Sequence, residues 1–199
     1  MIKIAICGGI GSGKSTICQM FKERGVAVYD SDARAKALMN ESESLRGAII
    51  ATFGEECYEN GVLNRAALAS KVFGSAEQLA KLNSIVPPAV KEDYLHWHEE
   101  QEGDYTILES AILFESGFDA LVDKSVAILA PMPLRVMRAM ERDGATKEQI
   151  EARIKAQMSD DELVARTDFA IVNFHLEDVE KDVAELNYRF KMMANEQSR

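Results

Sequence analysis

Gly8-Gly9-Ile10-Gly11-Ser12-Gly13-Lys14-Ser15 fits the form GxxxxGKS, a spacing whose chemistry is the holding of a phosphate chain. Small residues let the backbone curl with its N–H groups pointing inward, and those groups cradle phosphate oxygens. Gly13 permits close approach just before a helix, and the N-terminus of that helix adds favourable partial charge. Lys14 is expected to reach the terminal phosphates and Ser15 to ligate Mg2+, with Thr16 a weaker second hydroxyl. Gly9, Ile10, Gly11, Ser12, Gly13, Lys14, Ser15 and Thr16 are therefore the expected lining of a nucleotide's phosphates.

Such a loop needs a strand before it and a helix after it. IKIAIC (2–7) is a short apolar run that reads as a buried strand. STICQMFKERG (15–25) places Ile17, Met20, Phe21 and Arg24 at helical spacing and stops at Gly25. VAVY (26–29) reads as a second strand, leading through Asp30-Ser31-Asp32 into a helix with Ser31 or Asp32 near its N-cap. Asp30 and Asp32 thus stand where a strand hands over to a helix, which in an open α/β sheet is the ligand edge. A carboxylate there either accepts a proton from an attacking hydroxyl or only caps the helix.

Residues 45–100 read as helical pieces without a convincing strand. Asn64 is a cap for the helix of NRAALASKVFG, Ser75 and Gln78 form a capping box for the next, and Pro87-Pro88 interrupts the run. YTILE (105–109) returns to a strand. Glu109 at its C-terminal end and Glu115 beyond it are candidates to order Mg2+ through water or to position an acceptor.

KSVAILAP (124–131) is a further strand, and PLRVMRAMERDG (133–144) a helix framed by Pro133 and Gly144. Arg135, Arg138 and Arg142 recur at spacings that share one helical face, suited to clamping phosphates as charge develops. Arg138 is the favoured member. Thr146 to Gln149 and Ser159 to Glu162 are capping boxes that start two short helices, a hairpin that suits a lid excluding water. Arg153 and Gln157 are expected to meet on one face of the first. FAIVN (169–173) is a last strand ending at Asn173, followed by an amphipathic helix with Val179, Val183, Leu186 and Phe190 on its apolar side.

Bulk properties narrow the partners. A chain of 199 residues, 47% hydrophobic, suggests one principal domain with small inserts, and a net charge of -10 disfavours nucleic acid. No segment has the apolar length of a membrane span. Cys7, Cys18 and Cys57 form no metal knuckle or redox pair, which fits reduced thiols in the cytoplasm. His96, His98 and His175 form no metal or nucleophile constellation. A monomer or weak homo-oligomer is expected.

The ordered set is more specific than the loop. GGIGSGKST, GVAVYDSDARAKAL, GVLNRAALASKVFG with Arg65, LNSIVPPAV, ILFESG, RVMRAMERDG and ARTDFAIVN follow one another, and in this the chain resembles the dephospho-coenzyme A kinase family over nearly its whole length. The resemblance implies an α/β, P-loop NTPase three-layer fold with a parallel sheet. Residues 1–33, 101–131 and 165–199 would form the nucleotide-binding core, 34–100 a helical acceptor-binding insert and 132–164 a short helical lid. It also implies transfer of the ATP γ-phosphate to the ribose 3′-hydroxyl of dephospho-CoA with Mg2+.

Carried over residue by residue, Lys14 and Ser15 take the phosphates and magnesium, and Asp32 looks like the base. Arg65 and the helices around it look like the acceptor part, while Glu109 and Glu115 stay acceptor or metal-water candidates on their position alone. Arg138 resembles the phosphate-clamping arginine, with Arg142 a second. Gln157 belongs to the lid pattern, and Asn173 and its neighbours should lie near the adenine. Lys14, Asp32 and Arg138 are thus the expected catalytic set. The chain departs from the family at Pro87, where a histidine is usual, at Glu109-Ser110-Ala111 in place of Asp-x-Pro, and at Phe174 in place of glycine. These departures fall on acceptor fit and loop geometry.

Three other readings share the loop. Another small-molecule P-loop kinase, acting on a nucleoside, nucleotide or metabolite, would differ only in its acceptor region. A GTP-binding switch would need an NKxD to read guanine, and the chain has none. A non-catalytic scaffold would have no need of Lys14, Ser15 and Asp32 together.

Overall fold

The structure is a computed structural model and describes residues 1–72 and 74–197. In chain order it forms β1 (Ile2–Cys7), α1 (Lys14–Glu23), β2 (Ala27–Asp30), α2 (Ser31–Glu41), α3 (Glu43–Phe53), β3 (Tyr58–Glu59), β4 (Val62–Leu63), α4 (Arg65–Val72) and α5 (Ala76–Glu99). It continues with β5 (Tyr105–Ser110), β6 (Lys124–Leu129), α6 (Met132–Asp143), α7 (Lys147–Lys155), α8 (Asp160–Arg166), β7 (Phe169–Val172) and α9 (Leu176–Gln197). Short 3-10 turns at Glu55–Cys57 and Phe118–Leu121 complete it. The chain divides into two compact units, one of Met1–Asp30 with Gln101–Arg199 and one of Ser31–Glu100.

The first unit is built on a five-stranded sheet in the order β2-β5-β1-β6-β7, and every neighbouring pair is parallel. Strands of a parallel sheet are covered on both faces, so they must be apolar almost throughout. β1 meets that demand, since only Lys3 among its residues is not buried. α1 and α9 pack beside each other on the sheet. Ile17, Cys18 and Phe21 of α1 and Val179, Val183, Leu186, Phe190 and Ala194 of α9 join the strand isoleucines in one core, the stripe that the helical spacing requires. α1 ends as expected, with Gly25 at a φ of 81° that a side chain would resist.

β1 lies between β5 and β6, and the chain fills β2 and β5 on one side of it before crossing to β6 and β7 on the other. A parallel sheet opens a crevice at such a switch point, beyond the C-terminal ends of its strands. The loop 8–13 sits there. So do Asp30 and Glu109, which face each other in the β2–β5 register.

The second unit has its own core, with Leu45, Ile49, Phe53, Cys57, Leu63 and Leu68 buried and Leu82, Ile85, Val86 and Ala89 of α5 packed on them. Arg34 of α2 grips Asp93 of α5 through two bonds, Nε to Oδ2 at 3.1 Å and Nη2 to Oδ1 at 2.8 Å, the forked geometry that only a guanidinium provides. Asn64 Oδ1 accepts from Ala67 N–H at 3.0 Å, the expected cap; of the expected Ser75–Gln78 box one half forms, Ser75 Oγ accepting from Gln78 N–H at 3.3 Å, while Ser75 N–H donates to Val72 O. Phe73, at the end of the expected NRAALASKVFG helix, lies outside the described residues.

Two expectations fail in this unit. β3 and β4 pair as a small antiparallel hairpin where no strand was expected. Its turn is Asn60-Gly61, with φ of 50° and 80°, the dipeptide that best tolerates two left-handed residues. Pro87 and Pro88 do not interrupt the helix, for α5 runs through both over 24 residues. Each proline removes one backbone donor, a cost of about 3 kcal/mol in a helix interior. Burial on both sides of the pair, by Leu82, Ile85 and Val86 before it and Val90 and Tyr94 after it, offsets that loss.

Candidate active site

The site of the first unit is built on the turn from β1 into α1. Gly13 caps α1 with a φ of 90° and makes no side-chain capping bond. The first-turn N–H groups of a helix have no partner within it, so they are left for a ligand. Lys14 folds back, its Nζ donating to Gly8 O at 2.8 Å, while Ser15 and Thr16 are exposed on the same turn.

Three elements grip the loop from outside. Asn173, just past β7 and 8% exposed, donates from Nδ2 to Ser12 O at 2.8 Å. Arg135 of α6, 4% exposed, donates from Nε to Ile10 O at 2.9 Å and from Nη1 to Asp160 Oδ1 at 2.9 Å. Gln157, between α7 and α8, accepts from Ile10 N–H through Oε1 at 2.8 Å. The fit leaves no room at the glycines. A β-carbon on Gly9 would collide with Arg135 Nη2, and one on Gly11 with the backbone carbonyl of Arg135.

Arg138 comes next to the loop one turn further along α6. Its Nη1 would lie 3.5 Å from a β-carbon on Gly13, and it is buried without a hydrogen-bond partner, as is Ser12 Oγ. A buried polar atom with no partner costs about 1–3 kcal/mol, a cost that a partner from outside the chain would relieve. A phosphate chain supplies such a partner in its oxygens, and the residues present fit one.

Electrostatics at the strand ends follow from the same geometry. Burial pushes the Cys7 thiol up to about 12, with Lys14 working against the rise and Glu115 adding to it. Lys14 and the exposed Glu115 are thus both within reach of the end of β1. Burial also raises the Cys18 thiol strongly, and Glu109, to which it is hydrogen-bonded, raises it further. Glu109 is half-buried at the C-terminal end of β5.

The remaining expected residues are placed differently. Arg142 is exposed in the last turn of α6 and paired with Asp143, Nε to Oδ1 at 2.8 Å. Arg153 does not meet Gln157, because α7 ends at Lys155. It pairs instead with Asp143 at 3.1 Å, while Gln157 turns to the loop. The spacing of the three arginines does not reveal which is buried: Arg135, placed behind Arg138 by sequence, is the one that holds the loop, and Asp160, its partner, had no reading at all. The place of Asp160 just after the N-cap Ser159 was its only signal.

In the second unit, Asp32 is exposed in the first turn of α2. Arg65 opens α4 and, with Lys36, borders a cavity of about 470 Å3 whose other walls include Met39, Leu63, Leu68 and Leu79. Among the described residues no group of His, Cys, Asp or Glu is gathered as a metal cluster, and no helix is long and apolar enough to cross a membrane. The three cysteines are free and buried.

The family model described as dephospho-CoA kinase (CoaE) matches residues 2–178. A dephospho-CoA kinase of Porphyromonas gingivalis is 42% identical over 174 residues, covering 87% of this chain and 86% of that protein. The crystal structure of TT1252 from Thermus thermophilus is similar with a TM-score of 0.82 and 31% identity, covering 94% of this chain and 96% of that one. Dephospho-CoA kinase from Campylobacter jejuni shares the fold, with a TM-score of 0.69 at 22% identity over 96% of this chain and 97% of that one.

Proposed function

Because the chain belongs to the dephospho-CoA kinase family, we propose that the loop 8–15 holds ATP while the ribose 3′-hydroxyl of dephospho-CoA attacks its γ-phosphorus. The reaction is the phosphorylation of dephospho-CoA in coenzyme A biosynthesis, with ATP as donor. A bond forms between the 3′-oxygen and the γ-phosphorus, the bond to the β–γ bridging oxygen breaks, and ADP leaves.

The observation that carries the donor half is the buried, unpartnered Nη1 of Arg138 beside Gly13. Charge on the transferring group spreads over its equatorial oxygens, and a donor fixed in advance stabilises it without reorganisation. Lys14 moves from Gly8 O to the terminal phosphates, exchanging a neutral acceptor for a charged one. Ser15 is the residue to hold Mg2+, which when bound neutralises phosphate charge. Asp32 orients the 3′-hydroxyl and takes its proton. Glu109 and Glu115 serve the ordering of metal-bound water or of the acceptor.

Unit 31–100 is the acceptor-binding part in this reading, and Arg65 with Lys36 at an apolar cavity suits a molecule with anionic groups on a longer neutral body. Residues 132–164 act as the lid, with Arg142 as a second cation on the phosphates and Asn173 near the adenine. Free, buried thiols fit a cytoplasmic protein.

A panel of acceptors with ATP tests the reading. Dephospho-CoA should give CoA and ADP in equal amounts, and nucleosides and nucleotides little or none. Turnover with a nucleoside or nucleotide and none with dephospho-CoA would overturn it.

A further inference from the structure

Ile10 is held on three sides. Its N–H donates to Gln157 Oε1 at 2.8 Å and its carbonyl accepts from Arg135 Nε at 2.9 Å. Its side chain packs on the cluster of Val136, Ala139, Ile150 and Ile154. The residue at the apex of the phosphate loop is therefore seated on α6 and α7 and hydrogen-bonded to α6 and to the junction of α7 with α8.

We propose that Arg135 and Gln157 are positioning residues that hold the loop in its phosphate-binding shape before a nucleotide arrives, with Asp160 acting on the loop through Arg135. The inference rests on the reading of 8–15 as the donor site. A glycine-rich loop is costly to order, since its residues lose more backbone freedom than others. If that cost is met by Ile10's contacts within the chain, nucleotide binding is relieved of it, which is the gain that preorganisation brings. The buried guanidinium of Arg135 needs a hydrogen-bond acceptor to remain in place, and Asp160 Oδ1 provides it from the first turn of α8. The same three residues fasten the α7–α8 junction to the loop, so loop order and hairpin position are coupled.

The test compares Gln157→Met, which keeps the length but removes the acceptor, with Asp160→Ala, which touches no loop atom, and Asp160→Asn, which keeps an acceptor for Arg135. ADP affinity is measured by calorimetry without acceptor, alongside KM for ATP, KM for dephospho-CoA and Tm. Gln157→Met should weaken ADP binding and raise KM for ATP about tenfold, as losing one ordering bond does, with KM for dephospho-CoA within about twofold. Asp160→Ala should move the same two quantities in the same direction, and Asp160→Asn should restore most of the loss. If Gln157→Met and Asp160→Ala bind ADP as the wild type does, whatever their Tm, the inference is wrong. A wild type that binds no ADP would remove the donor-site reading, and this inference with it.

Discussion

Asn173 and Ser12, 161 residues apart, are joined by a buried hydrogen bond in which the Asn173 amide donates to the Ser12 carbonyl. The bond ties the end of the β7 edge strand to the loop that follows the central strand. Asn173→Ala leaves that carbonyl buried without its donor, a loss of about 1–3 kcal/mol. Asn173→Asp is worse, because a carboxylate then faces a carbonyl oxygen. Urea denaturation and ADP titration should show both variants weakened, in that order.

Glycine substitutions should separate steric from conformational demand. Gly11→Ala must take a φ of 74° and also drive a β-carbon into the Arg135 backbone. Gly25→Ala takes a φ of 81° but meets nothing within 4 Å, so it should cost only about 1–2 kcal/mol. Nucleotide binding is expected to be lost in the first and intact in the second, as read by ADP calorimetry.

Arg138→Met removes the buried donor beside Gly13. Turnover should fall about 10²–10³-fold, the usual result of losing one preorganised donor to a developing anion. ADP affinity should change far less if Arg138 acts at the γ-phosphate, as proposed. Equal losses in kcat and in ADP affinity would make Arg138 a ground-state binder instead.

Asp32→Asn should lower kcat by about 10²–10⁴-fold, the range for a lost general base. Asp32 is exposed in the first turn of its helix, and Tm read beside kcat separates loss of the base from loss of fold. Near-normal turnover would remove it from the mechanism.

Asp168 offers a pH test away from the chemistry. Burial works to raise its carboxyl, but bonds from Lys124 and from Ser125 N–H and Oγ more than offset this and hold it below its ordinary value. A group lowered on folding contributes stability above its unfolded value, about 3.9, and that contribution is lost as pH falls through the folded value. Asp168→Asn should therefore be less stable than the wild type at pH 7, by about 1–3 kcal/mol, with the gap closing as the solution is acidified. Urea denaturation across that range measures it.

The loop and the two elements that flank it were legible because their signals are local. β1, the loop and α1 are one continuous stretch whose apolar period changes from strand to helix at Lys14. The boxes Thr146–Gln149 and Ser159–Glu162 both form, because each depends only on residues three apart. What escaped depends on packing. Arg135, Arg138 and Arg142 look equivalent by spacing, yet the first is buried, the second half-buried and the third exposed. α5 runs through two prolines because contacts from elsewhere in its unit hold both halves. The β3–β4 hairpin is the exception, since Asn60-Gly61 announced it locally.

β2 and β5 are hydrogen-bonded neighbours, although the chain between them makes the whole excursion 31–100. The main sheet core draws all of its residues from 1–30 and 101–199. Seen as topology, the excursion is a single oversized crossover between two parallel strands, and its length is immaterial to the register they share. In the reading that gives 31–100 to the acceptor, a change in that unit's length or fold between Asp30 and Gln101 leaves the pairing of the strands that carry the phosphate loop untouched.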